Sequence, residues 1–272
     1  MNTFITPEEL AAHRDEYVVI DARGLDAYAA GHIEGAFVLD INEDMSVPMM
    51  KHGGRKPLPS AEDFAKKLSS FGLTMESKVV IYDSWLTFAG RAWWMCRRLM
   101  GMHHVQVLAG GVERWVREGH SLVTTATPLP KATKLDYIAN PLRLAFHDEV
   151  ASVSKRGDRL LIDARSPECY AGTVEDTMDG MTGHIPGAVN VFWESCFTAD
   201  GPKSDAELEA IFADIKASPK SAIAYCGSGV TAPNMMLAMD QIGLDAQLYV
   251  GSSSDWMTYE NAPLATGLES VK

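Results

Sequence analysis

Cys226 ends a short apolar run in Ser221-Ala-Ile-Ala-Tyr-Cys-Gly-Ser-Gly-Val-Thr-Ala232, and a glycine-spaced loop follows before a helical pattern begins. That is how a chain presents a reactive thiolate. Backbone N–H groups of the loop and the positive end of the next helix both favour a negative sulfur, which makes Cys226 the nucleophile candidate. Gly227, Gly229, Val230 and Thr231 are the residues whose backbone would line such a cradle, and Ser228 places a hydroxyl in it. The plainer alternative is a small buried hydrophobe. A core cysteine has no need of two glycines, a serine and a threonine directly after it, whereas an anion-binding loop needs close backbone approach and extra donors.

The elements that must position this loop occur twice. Val18-Val-Ile-Asp-Ala-Arg23 returns as Leu160-Leu-Ile-Asp-Ala-Arg165, Gly31-His-Ile-Glu-Gly-Ala36 as Gly183-His-Ile-Pro-Gly-Ala188, and Lys78-Val-Val-Ile-Tyr-Asp83 as Ser221-Ala-Ile-Ala-Tyr-Cys226. Gly110 answers Gly251 and Trp115 answers Trp256. A period of about 142 residues occurring twice signals a duplicated domain rather than a solenoid. Within each half, β-branched runs alternate with helical patterns, as βα units around a mostly parallel sheet would. Val18–Ile20, Val79–Tyr82 and Val105–Leu108 read as strands, and so do Leu160–Ile162, Ala222–Tyr225 and Gln247–Val250. Ser60-Ala-Glu-Asp63 and Ser204-Asp-Ala-Glu207 start helices with capping boxes or close relatives of one. The fold class is α/β, with an inactive domain at 1–123, a Thr- and Pro-rich linker at 124–140 and a catalytic domain at 141–272.

Composition narrows the function. The 272 residues are 46% hydrophobic, enough for two domains with real cores, and the net charge of -12 argues against a nucleic-acid partner. No apolar run approaches the roughly 18 residues of a membrane span, and the N-terminus lacks the pattern of a secretory signal, so the expected location is cytoplasmic. Cys96, Cys169, Cys196 and Cys226 are too scattered for a disulfide scaffold and lack the paired spacing of a zinc site. His103-His104, the one adjacent histidine pair, reads as surface. No metal and no cofactor is implied.

The first half puts Asp83 where Cys226 stands, and Ser84-Trp-Leu-Thr-Phe-Ala-Gly90 has none of the Gly-Ser-Gly spacing. It cannot run the same reaction. A silent copy suggests an active site in a cleft between the halves. His32 is then a candidate to face Cys226, the alternative being that Gly31-His32 and Gly183-His184 are fold-defining turns in both copies.

The whole pattern resembles the tandem-domain rhodanese family of sulfurtransferases, with its Gly-His-Ile-Pro-Gly-Ala turn and an aspartate in place of the nucleophile in the N-terminal domain. The loop Cys226-Gly-Ser-Gly-Val-Thr231, the segment Gly90-Arg-Ala-Trp-Trp-Met95 and the ending Tyr249-Val-Gly-Ser-Ser-Ser-Asp-Trp256 look like the 3-mercaptopyruvate branch. The resemblance implies two rhodanese-like domains and a ping-pong reaction. Cys226 would accept sulfane sulfur from a small donor (3-mercaptopyruvate-like or thiosulfate), become a persulfide, and pass the sulfur to cyanide or a thiol such as thioredoxin or a low-molecular-weight thiol. It also implies roles for Ser228 and His32 in moving protons, with Asp21 or Asp26 supplying a carboxylate.

One departure stands out. The family's mercaptopyruvate enzymes carry two substrate-binding arginines between the Asp-Ala-Arg strand end and the Gly-His-Ile turn, and here no arginine lies between Arg165 and His184. Cys169 and Met178 take those places. Either Arg55 or Arg91 substitutes, or the donor is less anionic, as the acidic Asp176 and Asp179 would favour. Cys169, if it lines the mouth, would be positioned to resolve a Cys226 persulfide as a disulfide. A Cys-x5-Arg phosphatase is argued against by Ala232, and a nucleotide loop by the absence of a Lys-Ser/Thr ending. The alternative to turnover is a persulfide-binding or sensing module.

Overall fold

The computed structural model describes residues 2–269. The chain divides into two compact units. The first holds residues 1–47, 58–141 and 198–202, and the second holds 48–57, 142–197 and 203–272. Residues 48–57 belong to the second unit and 198–202 to the first, assignments that no local sequence pattern records. Residues 124–140 run along the first unit: Thr127 N–H donates to Tyr28 Oη (3.0 Å), Thr133 N–H to Ser69 O (3.1 Å) and Asn140 N–H to Leu99 O (2.9 Å).

In the first unit, β1 (Phe4–Ile5), β2 (Val18–Asp21), β3 (Phe37–Val38), β4 (Val79–Tyr82) and β5 (Val105–Leu108) form a sheet in the order β1-β5-β4-β2-β3. In the second, β6 (Leu144–Ala145), β7 (Leu160–Asp163) and β8 (Ala188–Asn190) come first. β9 (Phe197–Thr198) and β10 (Gly201–Pro202) form a separate two-stranded ribbon, with residues 198–202 counted in the first unit, and β11 (Ala222–Tyr225) and β12 (Gln247–Tyr249) complete the second sheet. Their order, β6-β12-β11-β7-β8, repeats the first. Every neighbouring pair within the two five-stranded sheets is parallel. Parallel strands covered on both faces read as unbroken apolar runs, which is why Val79–Tyr82 and Ala222–Tyr225 are buried throughout.

Each sheet carries its own core. Leu10, Val80, Tyr82, Leu108 and Trp115 belong to the first, and Val150, Leu161, Tyr170, Ile223 and Trp256 to the second. The expected helix starts are present: Ser60 Oγ caps Asp63 N–H ahead of Ala61–Ser70, and Ser204 with Glu207 forms a reciprocal capping box ahead of Asp205–Ile211. The counterpart helix is interrupted at Phe212 and resumes as Ala213–Ala217.

A polar network ties strand ends to turns, and it too is written twice. Arg23 grips Asp21 and Gly31 O, while Tyr82 Oη donates to Asp21 Oδ2 (2.7 Å) and accepts from Ile33 N–H (3.1 Å). Arg165 grips Asp163 and Gly183 O, and Tyr225 Oη accepts from Ile185 N–H (3.2 Å). His32 stacks on Tyr28 at 3.7 Å and His184 on Tyr170 at 3.9 Å, each with Nδ1 2.8 Å from the tyrosine carbonyl. The Asp-Ala-Arg and Gly-His-Ile repeats are therefore the joinery of the fold. Of the two readings of His32, this geometry fits the fold-defining turn: the side chain is fully buried, its second nitrogen lies 3.2 Å from Thr125 O, and both ring nitrogens are engaged within its own unit. Of the carboxylates considered with it, Asp21 is held by Arg23 and Tyr82, and Asp26 lies exposed on the helix Leu25–Ala30.

Candidate active site

Chain order runs outward from β7 to β8, then returns to the other side of β7 as β11 and β12. The switch between β7 and β11 is where open parallel sheets bind ligands at their carboxyl ends. Cys226 is the residue leaving β11 at that point, 1% exposed. Five residues, 227–231, separate it from the helix Ala232–Gln241, whose N-cap Thr231 makes no side-chain capping bond. The positive end of a helix at such a loop favours a negative group. Ser228 and Val230 are buried in the loop, while Gly227 and Thr231 are half-buried. Gly229 has φ +71°, and a Cβ there would run into Val250 O, so glycine is what lets the loop pass.

The start of the loop is pinned by the segment after β12. Cys226 N–H donates to Ser252 Oγ (3.1 Å), Cys226 O accepts from Ser253 N–H (3.0 Å) and Ser253 Oγ (2.6 Å), and Gly227 O accepts from Ser254 N–H (2.9 Å). Ser252 Oγ lies 3.9 Å from Cys226 Sγ, with Tyr249 O as its other acceptor at 2.8 Å. Its single proton can serve either one. Ser252 has φ +55°, in the left-handed region where a side chain costs about 1 to 2 kcal/mol. Sequence reading missed it because the signal is a dihedral angle. The Ser252 hydroxyl stands beside the sulfur.

The first unit shows what the same loop becomes without the thiol. Asp83 leaves β4, and five residues, 84–88, separate it from the helix Ala89–Trp94. Asp83 Oδ2 accepts from Phe88 N–H (2.5 Å) and Ala89 N–H (2.6 Å), so the carboxylate fills its own helix terminus. Burial pushes its acid up to about 7 even though these N–H groups pull the other way. The other thiols are unlike Cys226 in place. Cys96 and Cys196 are core residues whose thiols burial pushes up to about 12. Cys169 is half-buried on the helix Pro167–Ala171, and all four cysteines are free.

Over the loop lies charge. Residues 48–57 are tied into the second unit by Gly53 N–H to Asp255 Oδ1 (2.7 Å), Arg55 N–H to Ser254 Oγ (3.0 Å) and a His52–Tyr259 stack at 4.4 Å. Asp255 Oδ2 in turn accepts from Tyr249 Oη (2.6 Å). Arg55 Nε meets Asp179 Oδ1 at 2.5 Å, the carboxylate being screened from solvent and the guanidinium one-quarter exposed. Burial raises the Asp179 acid, and Arg55 pulls it back. Asp179 Oδ2 stands 3.1 Å, Arg55 Nη2 3.4 Å and Asp176 Oδ2 3.9 Å from where a Cβ on Gly227 would sit. Asp176 also lies 3.7 Å from Arg165 Nη1. Of the two arginines considered as replacements, Arg55 is thus at the loop. Arg91 is buried in the first unit against Met45 O.

The described residues include no helix long and apolar enough to cross a membrane. The rhodanese-like domain model matches residues 6–118 and 146–259. A Pseudomonas aeruginosa protein named a probable 3-mercaptopyruvate sulfurtransferase is 34% identical over 97% of this chain and 98% of its own. The thiosulfate sulfurtransferase of Rattus norvegicus is 34% identical over 90% of this chain and 83% of its own. The crystal structure of SseA from Escherichia coli, a 3-mercaptopyruvate sulfurtransferase, superposes with a TM-score of 0.78 at 32% identity, over 93% of this chain and 99% of that one.

Proposed function

Because the chain belongs to the rhodanese family and is a sulfurtransferase, we propose that Cys226 is the residue that carries the sulfur. The thiolate attacks the terminal sulfur of a small donor, a 3-mercaptopyruvate-like thiol or thiosulfate. A sulfur–sulfur bond forms at Cys226, and the donor's bond to that sulfur breaks with its electron pair, leaving pyruvate after protonation, or sulfite. An acceptor thiolate, a low-molecular-weight thiol or one on a thioredoxin-like protein, then takes the outer sulfur and returns Cys226 to thiolate. Cyanide would leave as thiocyanate.

The observation that carries this reading is the Ser252 hydroxyl 3.9 Å from Cys226 Sγ, at the strand end that opens a five-residue loop into the helix Ala232–Gln241. A developing sulfur anion gains there from donors already in position. Gly227, Gly229, Val230 and Thr231 shape the cradle and Ser228 adds a hydroxyl within it. Cys169 remains a candidate at the donor side, as a half-buried free thiol. Four free cysteines suit a reducing compartment, and we place the protein in the cytoplasm.

The test is steady-state transfer by wild type and Cys226→Ser with 3-mercaptopyruvate and thiosulfate, using a thiol and cyanide as acceptors. Turnover lost in Cys226→Ser is expected. A stable stoichiometric persulfide with no second turnover would make the protein a sensing module instead.

A further inference from the structure

The charged cluster over Gly227 asks for a purpose, because a bare anion cradle would not place two carboxylates beside it. Asp179 engages Arg55 along one edge of the guanidinium, through Nε (2.5 Å) and Nη2 (3.4 Å). A guanidinium is planar and has a second donor edge, Nη1 with Nη2, which stays usable while the first is occupied. Nη2 is also the atom 3.4 Å from the Cβ position of Gly227, the residue next to the nucleophile. Ser254 fixes the Arg55 backbone, so the side chain is delivered from an anchored point.

We propose that Arg55 is the specificity-determining residue of the transfer reaction, receiving the carboxylate of a small monoanionic sulfur donor while Asp179 holds it and limits the donor's charge. The inference rests on the reading that Cys226 carries the sulfur. Asp179 cancels the charge of Arg55 without consuming its second edge, so a carboxylate gains two directed hydrogen bonds and little net attraction. A dianion such as thiosulfate gains the same bonds and meets Asp176, Asp179 and the Cys226 thiolate with twice the charge. The segment 174–181 contains no arginine, yet the site keeps one fork for one carboxylate, supplied by residues 48–57.

The experiment compares alkylation of Cys226 by iodoacetate and by neutral iodoacetamide, two reagents of one shape, followed by mass spectrometry in the full-length protein. Dividing the two rates removes changes in thiol reactivity. Arg55→Gln is expected to lower the iodoacetate-to-iodoacetamide ratio about two- to fivefold, the size of one partly exposed charge interaction, and Asp179→Asn to raise it by a similar factor. Arg55→Lys should restore part of the loss. In turnover, Asp179→Asn should shift kcat/KM toward thiosulfate. A purely structural ion pair would move both variants in the same direction, and that result, or an unchanged ratio in Arg55→Gln, overturns the proposal. Failure of the wild type to turn over any donor overturns the sulfur-transfer reading together with this one; an unchanged ratio in a protein that does turn over overturns this one alone.

Discussion

Ser252 occupies in the second unit the backbone conformation that Gly111 occupies in the first: φ is +55° at the serine and +59° at the glycine. Both open the turn after the last strand of their sheet, and the residue after each donates its N–H to the residue at the nucleophile position, Ser253 to Cys226 O and Val112 to Asp83 O, each at 3.0 Å. Glycine is the unstrained choice there, and the first unit uses it. The unit with the thiol holds a side chain in the strained conformation, and that side chain reaches the sulfur.

The first prediction separates strain from chemistry at this position. Ser252→Ala keeps the strained backbone and loses the hydroxyl, whereas Ser252→Gly loses both. Sulfur transfer should fall about tenfold or more in each, by loss of one donor to the sulfur anion. The glycine variant should be the more stable of the two by about 1 kcal/mol in denaturant titration. Equal activity to wild type in Ser252→Gly would remove the hydroxyl from the mechanism.

Asp83 makes stability depend on pH in an uncommon direction. Its folded pKa, about 7, lies above the value near 3.9 of an unfolded aspartate, so between those values the folded chain binds more protons than the unfolded one. Stability contributed by this group is therefore lost as pH rises from about 4 to about 7 and is constant above. Asp83→Asn removes the titration. The difference in Tm between variant and wild type should move in the variant's favour from pH 5 to pH 8, and a difference that does not change with pH would show that the carboxyl does not titrate in that range.

His32 supplies the third. With Nδ1 on Tyr28 O, Nε2 on Thr125 O and the ring stacked on Tyr28, His32→Gln should cost about 1 to 3 kcal/mol of stability while activity per folded molecule stays at the wild-type value. A fall in kcat without loss of stability would return His32 to the catalytic machinery.

Much of this was readable before any coordinates. The duplication, the placement of Cys226 on a strand-to-loop junction and the aspartate at the matching position of the first half follow from residue types and their spacing alone, because a thiol followed by Gly-Ser-Gly has few structural uses. His32 was harder to read: a histidine in a twice-repeated turn looks the same whether it shuttles protons or holds a carbonyl, and only its partners decide. Ser252 was hidden for another reason, since φ is not written in a side chain. Its trace was the register that sets Gly111 against it. Arg55 was visible as a residue, but its assignment to the second unit depends on where residues 48–57 pack, which no local pattern records.

That packing has a consequence for how the protein is made. Gly53 and Asp255, joined by one hydrogen bond, are 202 residues apart in the chain. At about 5 to 20 residues per second, a ribosome makes the first of them roughly 10 to 40 seconds before the second. Throughout that interval the segment bearing Arg55 has no Asp255 to bind, although Asp179 follows Arg55 after only 124 residues, and the loop of Cys226 has no Ser252 behind it. Cys226 emerges 26 residues before Ser252, so its loop waits for the segment after β12 before its backbone is pinned.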